Sequence, residues 1–142
     1  MTDISPSAPA HLVVVAHMPL ASALQACAAH VFPEAPTFVH ALDIPPTEPP
    51  EHSLQRAQAL ASAHGIHKCL LLTDVLGATP SNIAQQWAKD TGWPLLTGVN
   101  LPMLLRGIAY RHEASAQWAQ RALEGGRTGQ TLSENVPSEE HK

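Results

Sequence analysis

Short apolar runs that alternate with helix-patterned segments constrain this chain more than any other feature. LVVVA at residues 12–16, KCLLLTD at 68–74 and WPLLTGV at 93–99 are such runs, and TFVHALD at 37–43 is β-rich. Runs of this length suit strands buried on both faces. Between them the periodicity changes. Leu20, Leu24, Cys27 and Val31 recur every three or four residues, which predicts a helix with Pro19 in its first turn. IPPTEPP, residues 44–50, can continue neither a strand nor a helix and reads as a loop. Residues 51–64 predict a helix stopped by Gly65. After the turn VLGAT, Thr79 as N-cap and Pro80 as first helical residue open a helix that runs to about Lys89. Asn100 caps a further helix through Met103, Leu104 and Ile108 to about Arg111. Residues 113–124 predict another, ended by Gly125 and Gly126, and RTGQTL at 127–132 is expected as a short edge strand.

Strands that alternate with helices imply a parallel sheet. The expected class is therefore α/β: a doubly wound, mainly parallel sheet in the order 2-1-3-4, with helices on both faces. The short last strand would lie antiparallel at an edge. The 142 residues suit one domain, expected over 11–132 between a disordered lead (1–10) and a disordered tail (133–142).

Composition excludes several function classes. A net charge of −4 without a Lys/Arg cluster speaks against nucleic acid and against an anionic membrane surface. No apolar run approaches the roughly 20 residues of a membrane span. MTDISPSAPAH lacks the basic and apolar regions of a secretory signal, so a cytoplasmic protein is expected. Cys27 and Cys69 sit in apolar contexts and read as two buried free thiols, with one disulfide as the alternative, and Cys27 lies on the apolar face of its helix.

The chemistry is expected where ligands bind in open α/β sheets: beyond the carboxyl ends of the strands, where strand order reverses. In the order 2-1-3-4 that point lies between strands 1 and 3. Strand 1 ends at His17 and strand 3 at Asp74. A carboxylate that accepts a hydrogen bond from one imidazole nitrogen fixes the tautomer and leaves the other nitrogen as a nucleophile. The turn after Asp74 leads into a helix N-terminus, which attracts anions. Gly77 permits close backbone approach there, and Thr79 and Ser81 offer hydroxyl donors. Together these residues suggest a phosphorylatable histidine. The plainer reading keeps Asp74 as a turn cap, Thr79–Pro80 as an ordinary helix start and His17 as a polar strand end.

Other residues carry less. HGIHKC at 64–69 offers His64, His67 and Cys69, but a structural zinc site needs four ligands and no second cluster is near, so no metal is expected. His40 lies within a strand and reads as packed or at an edge. His11, His30, His52, His112 and His141 read as surface residues, and Trp87, Trp93 and Trp118 are too scattered for a stacking platform. Asn100 is either a helix cap or a residue reaching the site.

LVVVAHMPLASAL, LLLTDVLGATPSN and LLTGVNLPMLLR resemble the mannose-type enzyme IIA proteins of the phosphoenolpyruvate-dependent sugar phosphotransferase system, or PTS. The resemblance spans roughly residues 11–130, and the pair DVLGATPSN and GVNLPM makes it specific. It implies that His17 accepts a phosphoryl group from the carrier protein HPr and passes it to a separate IIB partner. It implies Asp74 as the supporting aspartate and Gly77, Ala78, Thr79 and Ser81 as the turn that receives the phosphate, with no cofactor. It further implies a homodimer, with residues 127–132 as a strand exchanged between protomers. The family histidine is often followed by glycine, whereas Met18 and Pro19 follow here and would line the site. Proline stiffens that loop and removes one backbone donor. Two competing classes are a hydrolase, which lacks a GxSxG nucleophile, and a non-enzymatic module that binds an anion at the same turn and is never phosphorylated.

Overall fold

The computed structural model describes residues 8–134. Four strands, β1 (Ala10–His17), β2 (Val39–Ile44), β3 (Lys68–Thr73) and β4 (Leu95–Thr97), form one sheet in the order β2-β1-β3-β4. Every neighbouring pair is parallel. The helices are α1 (Leu20–Val31), α2 (Pro50–His64), α3 (Thr79–Thr91), α4 (Leu101–Ala109) and α5 (Ser115–Thr128), and a single 3-10 turn, Ala35–Thr37, precedes β2. The parallel order and class match the sequence reading. β1 starts at Ala10, inside the expected lead, while residues 1–7 and 135–142 of the expected lead and tail lie outside the described residues.

The period of two along β1 sorts its residues between two cores. Leu12, Val14 and Ala16 face one core with Leu70, Leu72, Met103, Leu104 and Trp118, so α4 and α5 cover this face together with Ala21, Leu24 and Ala28 of α1. Val13 and Val15 face the other core with Leu71, Ala57, Ile83 and Trp87, under α2 and α3. A sheet covered on both faces explains why the strand sequences are continuous apolar runs. Trp118 fills the first core and donates its indole N–H to Gly107 O at 2.6 Å. Trp87 meets Trp93 edge to face, with centroids 5.5 Å apart, beside the second core.

Several local expectations are corrected. α5 does not stop at Gly125 and Gly126 but runs through them to Thr128, so Arg127 and Thr128 are helical and residues 129–132 form no strand. The glycines are there for packing. A Cβ on Gly125 would lie 2.6 Å from Arg106 Cβ, and one on Gly126 would lie 2.9 Å from Met103 Cε. Both act as seats for α4 and not as helix stops. Cys27 is exposed rather than buried, because α1 lays its small face, Ala21, Leu24 and Ala28, on the sheet and turns Cys27 and Val31 outward. Cys69 is buried, and both thiols are free. Thr79 is the first residue of α3 and not its cap. Ala78 occupies the cap in an extended conformation, its N–H bonded to Val75 O at 3.2 Å.

Candidate functional site

The register of the sheet builds the site. Val15 of β1 stands opposite Thr73, the last residue of β3, so β1 runs on past the end of β3 and His17 meets Asp74 at the switch point. His17 is also in register with Ile44 of β2, whose carbonyl accepts the Met18 N–H at 3.1 Å. The chain beyond β1 is thereby held to both neighbours.

Asp74 grips His17 twice. Its Oδ2 accepts the His17 backbone N–H at 2.9 Å and lies 2.7 Å from ring Nδ1. Its Oδ1 accepts the Val75 N–H at 2.8 Å. An ionised carboxylate only accepts, so Nδ1 carries the hydrogen and Nε2 keeps a lone pair. Burial raises the Asp74 carboxyl, but the bonds from His17 and Val75 outweigh it and hold the group below its ordinary range. The two side chains differ in access: Asp74 is 7% exposed and His17 56%. The carboxylate is sunk at the strand ends while the ring faces outward.

The rest of the predicted set is placed as follows. Gly77, at φ +89°, turns the exposed loop toward α3, a backbone state that L side chains rarely adopt. Thr79 is exposed at the start of α3, and Pro80 leaves that first turn one N–H short. Ser81 is fully buried and its Oγ accepts from Gln85 Nε2 at 3.1 Å, so its hydroxyl does not open onto the turn. Met18 is exposed beside His17, and Pro19 caps α1. Asn100 is a cap: Oδ1 accepts from Met103 N at 2.9 Å, while Nδ2 donates to Gly126 O at 3.0 Å and ties α4 to α5. Both polar ends of Asn100 are thus used within the scaffold.

Sequence reasoning missed the supports around the pair. Asp43 Oδ1 accepts the Ser22 N–H at 3.2 Å and fixes the start of α1. Arg56 reaches Asp43 O at 3.2 Å and Glu48 Oε1 at 2.8 Å, pinning the proline-rich loop. The Ser53 hydroxyl foremost, with Arg56, holds the Glu48 carboxyl below its usual range. The signal was the acidic and basic residues flanking that loop, which prolines obscured. A groove of about 220 Å³ runs between the N-terminal ends of α2 and α3, lined by Leu54, Ile83, Thr79 and Asn82 among others. His17 does not line it. Among the described residues no group of three His, Cys, Asp or Glu side chains is placed to hold a metal ion. None of the described helices is long and apolar enough to cross a membrane.

Fold and site together define an open parallel α/β domain with a carboxylate-oriented imidazole at its switch point. The family described as the PTS system fructose IIA component, EIIA-man, matches residues 11–123, and the chain belongs to this family. Solved structures that share the fold include three PTS proteins. PTS component EIIA from Streptococcus agalactiae has a TM-score of 0.79 at 18% identity, covering 87% of this chain and 97% of that one. The mannose/sorbose-specific IIA subunit from Enterococcus faecalis has a TM-score of 0.77 at 18% identity, with 90% and 96% covered. The PTS IIA protein associated with the fucose utilization operon of Streptococcus pneumoniae has a TM-score of 0.72 at 19% identity, with 87% and 92% covered. No curated protein matches the chain by sequence.

Proposed function

We propose that this chain is a cytoplasmic phosphocarrier in which His17 Nε2 accepts a phosphoryl group from phospho-HPr and passes it to a separate IIB partner, for sugar uptake or its regulation. The observation that carries this reading is the 2.7 Å contact between His17 Nδ1 and Asp74 Oδ2 under an exposed ring. In the step, the Nε2 lone pair attacks phosphorus in line with the donor. The P–N bond to the donor imidazole breaks as the P–Nε2 bond forms. His17 keeps its Nδ1 hydrogen, and the Asp74 carboxylate balances the imidazolium. Such a transfer depends on positioning and charge neutralisation. The Thr79 and Ser81 backbone N–H groups at the start of α3 face the incoming oxygens, with Gly77 and Ala78 shaping the turn.

Exposed apolar residues flank the pair: Met18 at 54%, Val75 at 57% and Leu76 at 71%. An open imidazole with an apolar rim suits a protein donor and acceptor better than a small substrate. The homodimer expected from the resemblance belongs to the same proposal, although residues 129–132 form no strand within one chain.

The test is the intact mass of the chain after incubation with phosphoenolpyruvate, enzyme I and HPr, beside His17→Ala. The expected result is a gain of one acid-labile phosphoryl group that the variant lacks. A folded wild-type chain that gains nothing would overturn the proposal in favour of the anion-binding module.

A further inference from the structure

At the end of the sheet opposite His17, three imidazoles from three elements pack together. His11 at the start of β1 and His40 in β2 lie with Nδ1 and Nε2 3.0 Å apart and rings stacked at 5.2 Å. His64, the last residue of α2, lays its ring 4.4 Å from that of His40. Access is graded: His40 is 5% exposed, His11 half-buried and His64 exposed. We propose that His11, His40 and His64 form an acid-labile latch that closes the β1–β2–α2 corner when neutral and opens it locally when protonated.

The geometry sets the rule. Two ring nitrogens 3.0 Å apart share one hydrogen, so one of them must offer a lone pair. A second proton sets N–H against N–H. Among the described residues, the charged groups that act on His40 are His64 on α2 and His11 on β1, and no carboxylate is among them. From β3, the facing group is Cys69, in register with His11, a buried thiol whose pKa burial pushes up. The neighbouring Lys68 sends its Nζ away, to Glu113 O at 2.8 Å. Burial first, then His64 and His11, lower the His40 imidazole from 6.5 to about 4, and burial lowers His11 as well. An opened corner restores the ordinary value, so the open state binds more protons between those limits. The latch is therefore complete above pH 6.5 and is lost as the pH falls toward 4. The end of α2 covers His40 from the face of the sheet opposite α4 and α5, so its movement would leave those two helices in place.

The test is amide hydrogen exchange of the full chain at pH 7.5 and 5.0, corrected for intrinsic exchange chemistry. Exchange over residues 10–13, 39–42 and 61–66 is expected to rise about tenfold or more at the lower pH, with residues 101–128 unchanged. His40→Phe keeps a ring without a proton site and is expected to abolish the rise. His64→Gln, at an exposed position, is expected to reduce it and decides the matter by itself. A rise spread evenly over the chain, or an equal rise in His64→Gln, would overturn the latch. Neither substitution touches His17 or Asp74, so the result stands apart from the phosphocarrier reading.

Discussion

Asp74 commits both carboxylate oxygens to holding one imidazole and the turn beside it. Asp74→Asn keeps the size but loses the charge and offers one acceptor oxygen. The variant is expected to fold and to accept phosphate about 100-fold more slowly, the order seen when one preorganised electrostatic partner is removed; a rate within twofold of wild type would show that Asp74 does not orient the ring. The same carboxylate has a pH signature. Its folded value lies below the ordinary 3.8, so its contribution to stability is full above that value and is lost as the pH falls below it. Acid unfolding curves of wild type and Asp74→Asn are therefore expected to converge below about pH 3.8, and a constant gap would contradict the assignment. His17 and Asp74 were legible in the sequence because topology alone brings the ends of strands 1 and 3 together. The burial of the Ser81 hydroxyl was not legible, because a residue two positions into a helix is turned by helical geometry, and here that turn sets its Oγ against Gln85. His11 read as a surface residue, yet it is half-buried and bonded to His40, since a strand start is covered by whatever helix ends above it.

Among the elements, α4 and α5 show what local signals miss. Gly125 and Gly126 look like a helix stop when only the sequence around them is read. In the fold they let α5 lie against Arg106, Pro102 and Met103 of α4. Gly125→Ala weighs two effects against each other. Alanine gains about 1 kcal/mol of helix propensity. The added Cβ meets Arg106 Cβ at 2.6 Å and Pro102 O at 3.2 Å, and the helices must part to admit it. Overpacking of this kind costs about 1–3 kcal/mol, so a net loss is expected in urea denaturation; a gain in midpoint would mean the contact relaxes freely. The same confusion of packing with periodicity misread α1. Leu20, Leu24, Cys27 and Val31 repeat correctly for a helix, but the buried stripe is Ala21, Leu24 and Ala28, because small residues let the helix lie close to the sheet. β2 starts later than expected and β4 is shorter for a related reason: the 3-10 turn Ala35–Thr37 and Pro94 take residues that composition alone gives to strands, while β2 ends one residue later, at Ile44.

For the whole molecule, the alternation of apolar runs and amphipathic segments was enough to set four parallel strands in the order β2-β1-β3-β4. That order creates one switch point, and the His–Asp pair stands at it. The scaffold then divides its labour: two cores clamp β1 from both faces, and the imidazole rides at its exposed end. The proposed partners and the proposed dimer would use surfaces that a single sequence does not spell out, since exposed residues such as Met18 and Leu76 obey no packing period. In the proposed transfer, Asp74 fixes the Nδ1–H tautomer and so reserves Nε2 of His17 for phosphate. The most direct measurement is a long-range 1H–15N correlation spectrum of the enzymatically phosphorylated chain, read for the imidazole of His17. Phosphorus coupling on Nε2, with Nδ1 still protonated, is the predicted result. Phosphate on Nδ1, or on another residue with His17 unmodified, would contradict it.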